Sequence, residues 1–175
     1  MTTDLSFPIG RYHWPTTLTP DERGHAIRRL GALPGVFGAA LVGLSAEQLD
    51  TPYRPGGWTV RQTVHHTADS HMNAYIRLKL GLTETEPTIK PYEQDEWAML
   101  PDTAALPIDV PLALLDGVHR KMAHLYAGMT DDQFARTIRH PENGVMTLDT
   151  LLGLYAWHGD HHAAHILGLR QRMGW

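Results

Sequence analysis

Four histidines stand within nine residues, Trp157 to His165 (WHGDHHAAH), in a chain of 175 residues that contains 12 histidines and no cysteine. A second group, His65, His66 and His71, lies about ninety residues earlier. Without cysteine, any metal site must be built from imidazole, with or without carboxylate. On a helix, residues four apart sit one above the other. The later group therefore offers two ligand pairs, His158 with His162 and His161 with His165. A third imidazole from another helix completes a three-histidine set, which leaves a coordination position open, as in catalytic rather than structural sites.

Periodicity does not choose between the pairs. His158 and His162 lie nearer the middle of the apolar stripe of their helix, a position suited to core histidines. His161 and His165 lie at its edge, suited to lining a pocket. In the earlier group, His66 shares a polar stripe with Gln62, Asp69, Ser70, Asn73 and Arg77. This stripe reads either as a solvated face or as a wet pocket wall on which Asp69 orients a ligand. His71 falls on the apolar face with Val60, Val64, Thr67, Ala74 and Leu78 and is expected to be a hydrogen-bonded core residue. The isolated His13, His25, His119, His124 and His140 read as packed or surface residues.

These side chains need long helices to carry them. Thr19 precedes Pro20, Asp21 and Glu22, which together read as an N-cap, a proline at the first helical position and acids in the first turn. A helix is expected over about 20–44, with a kink at Pro34 and Gly35. Further helices are expected over about 59–80, ending at Gly81, over 111–129, and over 147–173 after an N-cap at Thr147. Residues 1–19 read as an irregular arm. Residues 82–107 form a long connection that holds a short helix in PYEQDEWAML. There is little strand signal. The pattern predicts one all-α domain over 1–175, a four-helix bundle.

The formal net charge of −4 argues against a non-specific nucleic-acid binder. No apolar run approaches the roughly 18 residues of a membrane span. MTTDLSFPIG carries no basic stretch followed by an apolar core, so no signal peptide is expected. A cysteine-free chain needs no oxidising compartment, which makes the cytoplasm the expected location.

GGWTVRQTVHHTADSHMNAYIRLKL (Gly56 to Leu80) closely resembles the second helix of YfiT-type proteins of the DinB superfamily. LGLYAWHGDHHAAHILGLRQRMGW (Leu152 to Trp175) resembles their last helix. LSFPIG, LDTPYRPGGW and FARTIRHPENG extend the resemblance over nearly the whole chain. It implies a four-helix bundle of unusual connectivity and a divalent metal, zinc or nickel, held by three histidines. Carried over by position, these are His66, His161 and His165. At Asp160 the chain departs from the family, which often carries a basic or polar residue there.

The family implies two reactions. Some relatives are thiol transferases that use bacillithiol or mycothiol. A metal stabilises the thiolate of such a cofactor, which then attacks an electrophile, and Asn73 and Arg77 are the candidates to hold a polar thiol. Others are described as metal-dependent hydrolases. There the metal lowers the pKa of water to about 7, and a carboxylate base is wanted. The sequence has no HExxH glutamate, so Asp69 and Asp160 are the candidate catalytic acids. The thiol transferase is the preferred expectation and the hydrolase the alternative. A third reading is a non-catalytic metal-binding dimerisation module. Relatives are often homodimers, and Trp14, Trp175 and the arm from Leu5 to Pro15 are the expected contact.

Overall fold

Residues 4–14 and 17–175 are described by the computed structural model; Pro15 of the expected dimer arm lies outside them. Four long helices make a bundle: α1 (Pro20–Leu41), α3 (Val60–Thr83), α6 (Asp109–Ala127) and α8 (Leu148–Met173). Between them lie the short helices α2 (Ala46–Leu49), α4 (Gln94–Ala98), α5 (Pro101–Ala105) and α7 (Asp131–Phe134). A hairpin of β1 (Thr137–His140) and β2 (Gly144–Thr147) leads directly into α8. Around the bundle the order is α1, α6, α3, α8 and back to α1.

Local chemistry sets the helix starts. Thr19 accepts from the Glu22 amide, and the Glu22 carboxylate accepts from the Thr19 amide at 2.7 Å, a capping box that satisfies two free backbone donors. Thr59 and Gln62 form the same box on α3, and Thr147 accepts from the Thr150 amide on α8. The helix ends depart from the sequence expectation. α1 stops at Leu41, and α3 runs through Gly81 to Thr83. Gly81 is not a cap. A Cβ there would lie 2.7 Å from Leu148 Cδ2, so glycine lets α3 and α8 approach. Gly159 does the same between α8 and α1, where a Cβ would lie 2.1 Å from Leu33 Cδ2.

Val60, Val64, Thr67, His71, Ala74 and Leu78 are all buried. The hairpin was not expected from the sequence. Its four-residue strands pair Thr137 with Thr147 and His140 with Gly144. The long connection docks on it: the Ile89 amide donates to the Arg139 carbonyl, and the Arg139 amide to the Pro87 carbonyl, both at 2.9 Å. That docking brings residues 90–95 over the bundle next to the histidines. No helix among the described residues is long and apolar enough to cross a membrane.

Candidate metal centre

α3 and α8 bring together His66, His158 and His162, whose ligand nitrogens all lie within 4.8 Å of one another. His158 Nε2 is 3.4 Å from His66 Nε2 and 3.2 Å from His162 Nε2. Ligand nitrogens about 2.0–2.1 Å from a tetrahedral zinc are separated by roughly 3.3–3.4 Å. Two of the three nitrogen pairs thus already stand near the spacing of ligands sharing one ion, and the third pair lies within 4.8 Å. Their chemistry fits as well. Burial drives the His66 pKa down to about 4, and burial reinforced by neighbouring rings drives His158 and His162 well below the ordinary histidine value. A ligand imidazole must be neutral, so burial prepares all three.

His161 and His165, the pair selected by resemblance, are not in this group. α8 turns its His158–His162 face toward α3, and the other pair faces the N-terminal arm and the loop before α3. His161 stacks on Trp157, with ring centroids 4.6 Å apart, and lies 5.7 Å from Phe7. His165 stacks on Tyr53 at 3.9 Å, and its Nε2 is 3.4 Å from the Ser6 carbonyl oxygen. Both line a cavity of about 450 Å3 that opens beside the trio, with Trp58, Arg54, Gln94 and Asp95 on its other walls. The Trp58 ring lies 4.4 Å from that of His66 and closes one side.

A second cavity of about 450 Å3 meets the first at His158, Gln94 and Asp95. Arg77, Tyr92, His140 and Tyr155 line it. Arg77 is 9% exposed, and its guanidinium donates to Tyr155 Oη (3.1 Å) and the Lys90 carbonyl (3.2 Å) and has no carboxylate partner among the described residues. Asn73, expected beside it, lines neither cavity and donates to the Asp69 carbonyl at 2.9 Å.

The two acids singled out in the sequence do not reach the trio. Asp160 accepts from Arg29 Nε at 2.6 Å on the α1 side of α8. Its carboxylate is engaged there, because position 160 is half a turn from the His158–His162 face. Asp69 is half-buried, its pKa pushed up to about 6 by burial and by Asp102, and it lines neither cavity. The acid that does line both is Asp95, carried by α4. Sequence reasoning passed over it because its place depends on how the long connection folds back. His119, read from the sequence as a packed or surface residue, is fully buried, at the helical spacing of Leu115 and Met122.

The family model of the DinB superfamily matches residues 29–166. A Bacillus mycoides protein and a Bacillus cereus protein, each described as "Putative metal-dependent hydrolase", are 48% identical to the chain over 172 residues, covering 98% of it and 99% of each relative. The structure of YfiT from Bacillus subtilis, described as a "probable metal-dependent hydrolase with an unusual four-helix bundle topology", superposes with a TM-score of 0.96 at 46% identity, covering 98% of this chain and 99% of that one. TT2238, a four-helix bundle protein, shares the fold alone, with a TM-score of 0.55 at 23% identity over 87% of this chain and 99% of its own. With its bundle, its histidine trio and this match over most of its length, the chain belongs to the DinB superfamily.

Proposed function

We propose that the chain is a metal-dependent thiol transferase. A low-molecular-weight thiol such as bacillithiol would be the nucleophile, and His66, His158 and His162 would be the metal ligands. The observation that carries this reading is a histidine trio with no carboxylate among its converging ligand atoms. A divalent cation held by these histidines, zinc or nickel, would stabilise the anionic form of a bound thiol. Thiol activation then needs no protein base. The sulfur attacks the electrophilic carbon, a C–S bond forms, the bond to the leaving group breaks, and the thiol proton passes to solvent. The three histidines hold the reacting centre, and Trp58 excludes water from one side. The Arg77 guanidinium, which has no salt-bridge partner among the described residues and lines the adjoining cavity, binds an anionic group of the thiol.

One observation favours the alternative, a metal-dependent hydrolase: Asp95 lines the cavity at the trio, where a carboxylate could take a proton from water. The deciding experiment incubates metal-loaded protein with monochlorobimane and a panel of carboxylate-bearing and neutral thiols. Conjugation is expected to depend on both thiol and metal. Arg77→Met should raise the KM of carboxylate-bearing thiols about 10–100-fold, the loss of a charged hydrogen bond, and leave neutral thiols little changed. Conjugation no faster than in the metal-free control would sink the transferase reading. Ester and amide hydrolysis abolished by Asp95→Asn would establish the alternative.

A further inference from the structure

Pro34 stands inside α1 without ending it. Proline has no N–H, so the carbonyl four residues earlier, that of Leu30, loses its helical donor. His119 of α6 takes the place of that donor, with its Nδ1 2.5 Å from the Leu30 oxygen. A carbonyl can only accept, so His119 Nδ1 carries the proton. In a neutral imidazole the other nitrogen is then bare.

The rest follows ring by ring. His119 Nε2, bare, lies 2.8 Å from His71 Nδ1, which must therefore donate. His71 Nε2 is bare in turn and lies 3.2 Å from His158 Nδ1, which donates to it. The lone pair of His158 is left on Nε2, the atom that faces His66 and His162. His162 has no such support, for its buried Nδ1 has no hydrogen-bond partner among the described residues.

We propose that Pro34, His119 and His71 form a positioning relay that locks His158 in its Nδ1–H tautomer and aims the Nε2 lone pair at the metal. The relay runs through all four long helices, from Leu30 on α1 through α6 and α3 to α8. A metal-bound histidine commonly gives its other N–H to a carboxylate, a carbonyl or water. Here the acceptor is another imidazole, and the backbone group that sets the whole chain is one a proline released. The proposal rests on His158 being a ligand.

The test reads tautomers and metal affinity separately. Ring-15N spectra of the metal-free protein should show His158 protonated at Nδ1 and bare at Nε2. His119→Met, which can neither donate to Leu30 nor accept from His71, should mix the two His158 tautomers and weaken zinc binding about 10–100-fold. His119→Gln keeps one donor and one acceptor and should recover most of that loss. Pro34→Ala touches no histidine but returns a helical N–H to the Leu30 carbonyl. It should shift the His119 Nδ1 proton resonance and weaken zinc binding in the same direction, in a helix that folds at least as readily. A wild-type His158 protonated at Nε2, or a His119→Met protein that is folded by circular dichroism and binds zinc as wild type does, would overturn the relay. Correct tautomers in a wild-type protein that binds no zinc would instead strike the metal reading.

Discussion

His158 and His162 differ from His161 and His165 by three positions, and that difference decides the chemistry of each. The first pair gathers with His66 across the bundle: His158 Nε2 lies 3.4 Å from His66 Nε2 and 3.2 Å from His162 Nε2. The second is occupied by aromatic stacking on Trp157 and Tyr53. Removing one ligand of three should collapse binding, because two neutral imidazoles leave half of a tetrahedral shell to water. In protein purified without a histidine tag, we expect about one divalent ion per chain, falling below roughly a tenth in His66→Ala, His158→Ala or His162→Ala. His161→Ala and His165→Ala should keep most of the metal. Metal analysis showing the reverse pattern would return the ligand set to His66, His161 and His165.

At the scale of elements, the site depends on how closely α8 can lie against α1 and how α8 is anchored. Gly159 is next to His158, and its missing Cβ is what lets Leu33 close on α8. Farther along, buried Asp149 accepts from Arg23 Nε (2.7 Å) and Nη2 (2.8 Å), tying the start of α8 to α1. Gly159→Ala should destabilise the fold by about 1–3 kcal/mol through overpacking, with a parallel loss of zinc affinity as His158 is displaced. Urea unfolding measures the first effect and calorimetric titration the second. An unchanged midpoint would mean that Leu33 rotates away freely and that the contact does not set the spacing.

The whole molecule carries a pH dependence, because so many of its histidines are buried. An unfolded histidine titrates near 6.5, whereas burial lowers His66 to about 4 and pushes His71, His158 and His162 down strongly. Between those values the unfolded chain binds more protons than the folded one, so stability is full above about 6.5 and is lost as pH falls toward 4. Asp69 acts in the opposite sense. Its raised pKa, about 6, means that deprotonation costs stability as pH rises through 4 to 6, but it is one half-buried carboxyl against several buried imidazoles. The melting temperature of the metal-free protein should therefore drop from pH 7 to pH 5, and a flat profile would contradict the burial of neutral histidines. Proton competition for the metal, expected from free histidine to begin near 6.5, should begin lower, toward the value of about 4 for His66.

The chemistry of the site was legible in the sequence up to a choice. Histidine spacing on a 3.6-residue helix marked two candidate pairs and one partner helix, and the absence of cysteine restricted the ligands to imidazole and carboxylate. The caps at Thr19 and Thr147 were legible because capping is a local exchange of hydrogen bonds. The hairpin was not, because its strands are four residues long and hold together only with Pro87–Ile89 and α8 beside them. Nor was Asp95, which reaches the site only because the connection folds back over the bundle. Helical periodicity determines which residues share a face, but not which way that face turns. Packing turned α8, through Gly159 against Leu33 and Gly81 against Leu148, and so put His158 and His162 rather than His161 and His165 opposite His66. The tertiary structure alone also linked a proline-freed carbonyl on α1 to His158 on α8. Neither Pro34 nor His119 reveals this by itself, and only the approach of His119 Nδ1 to the Leu30 carbonyl across the core shows which donor that carbonyl accepts from.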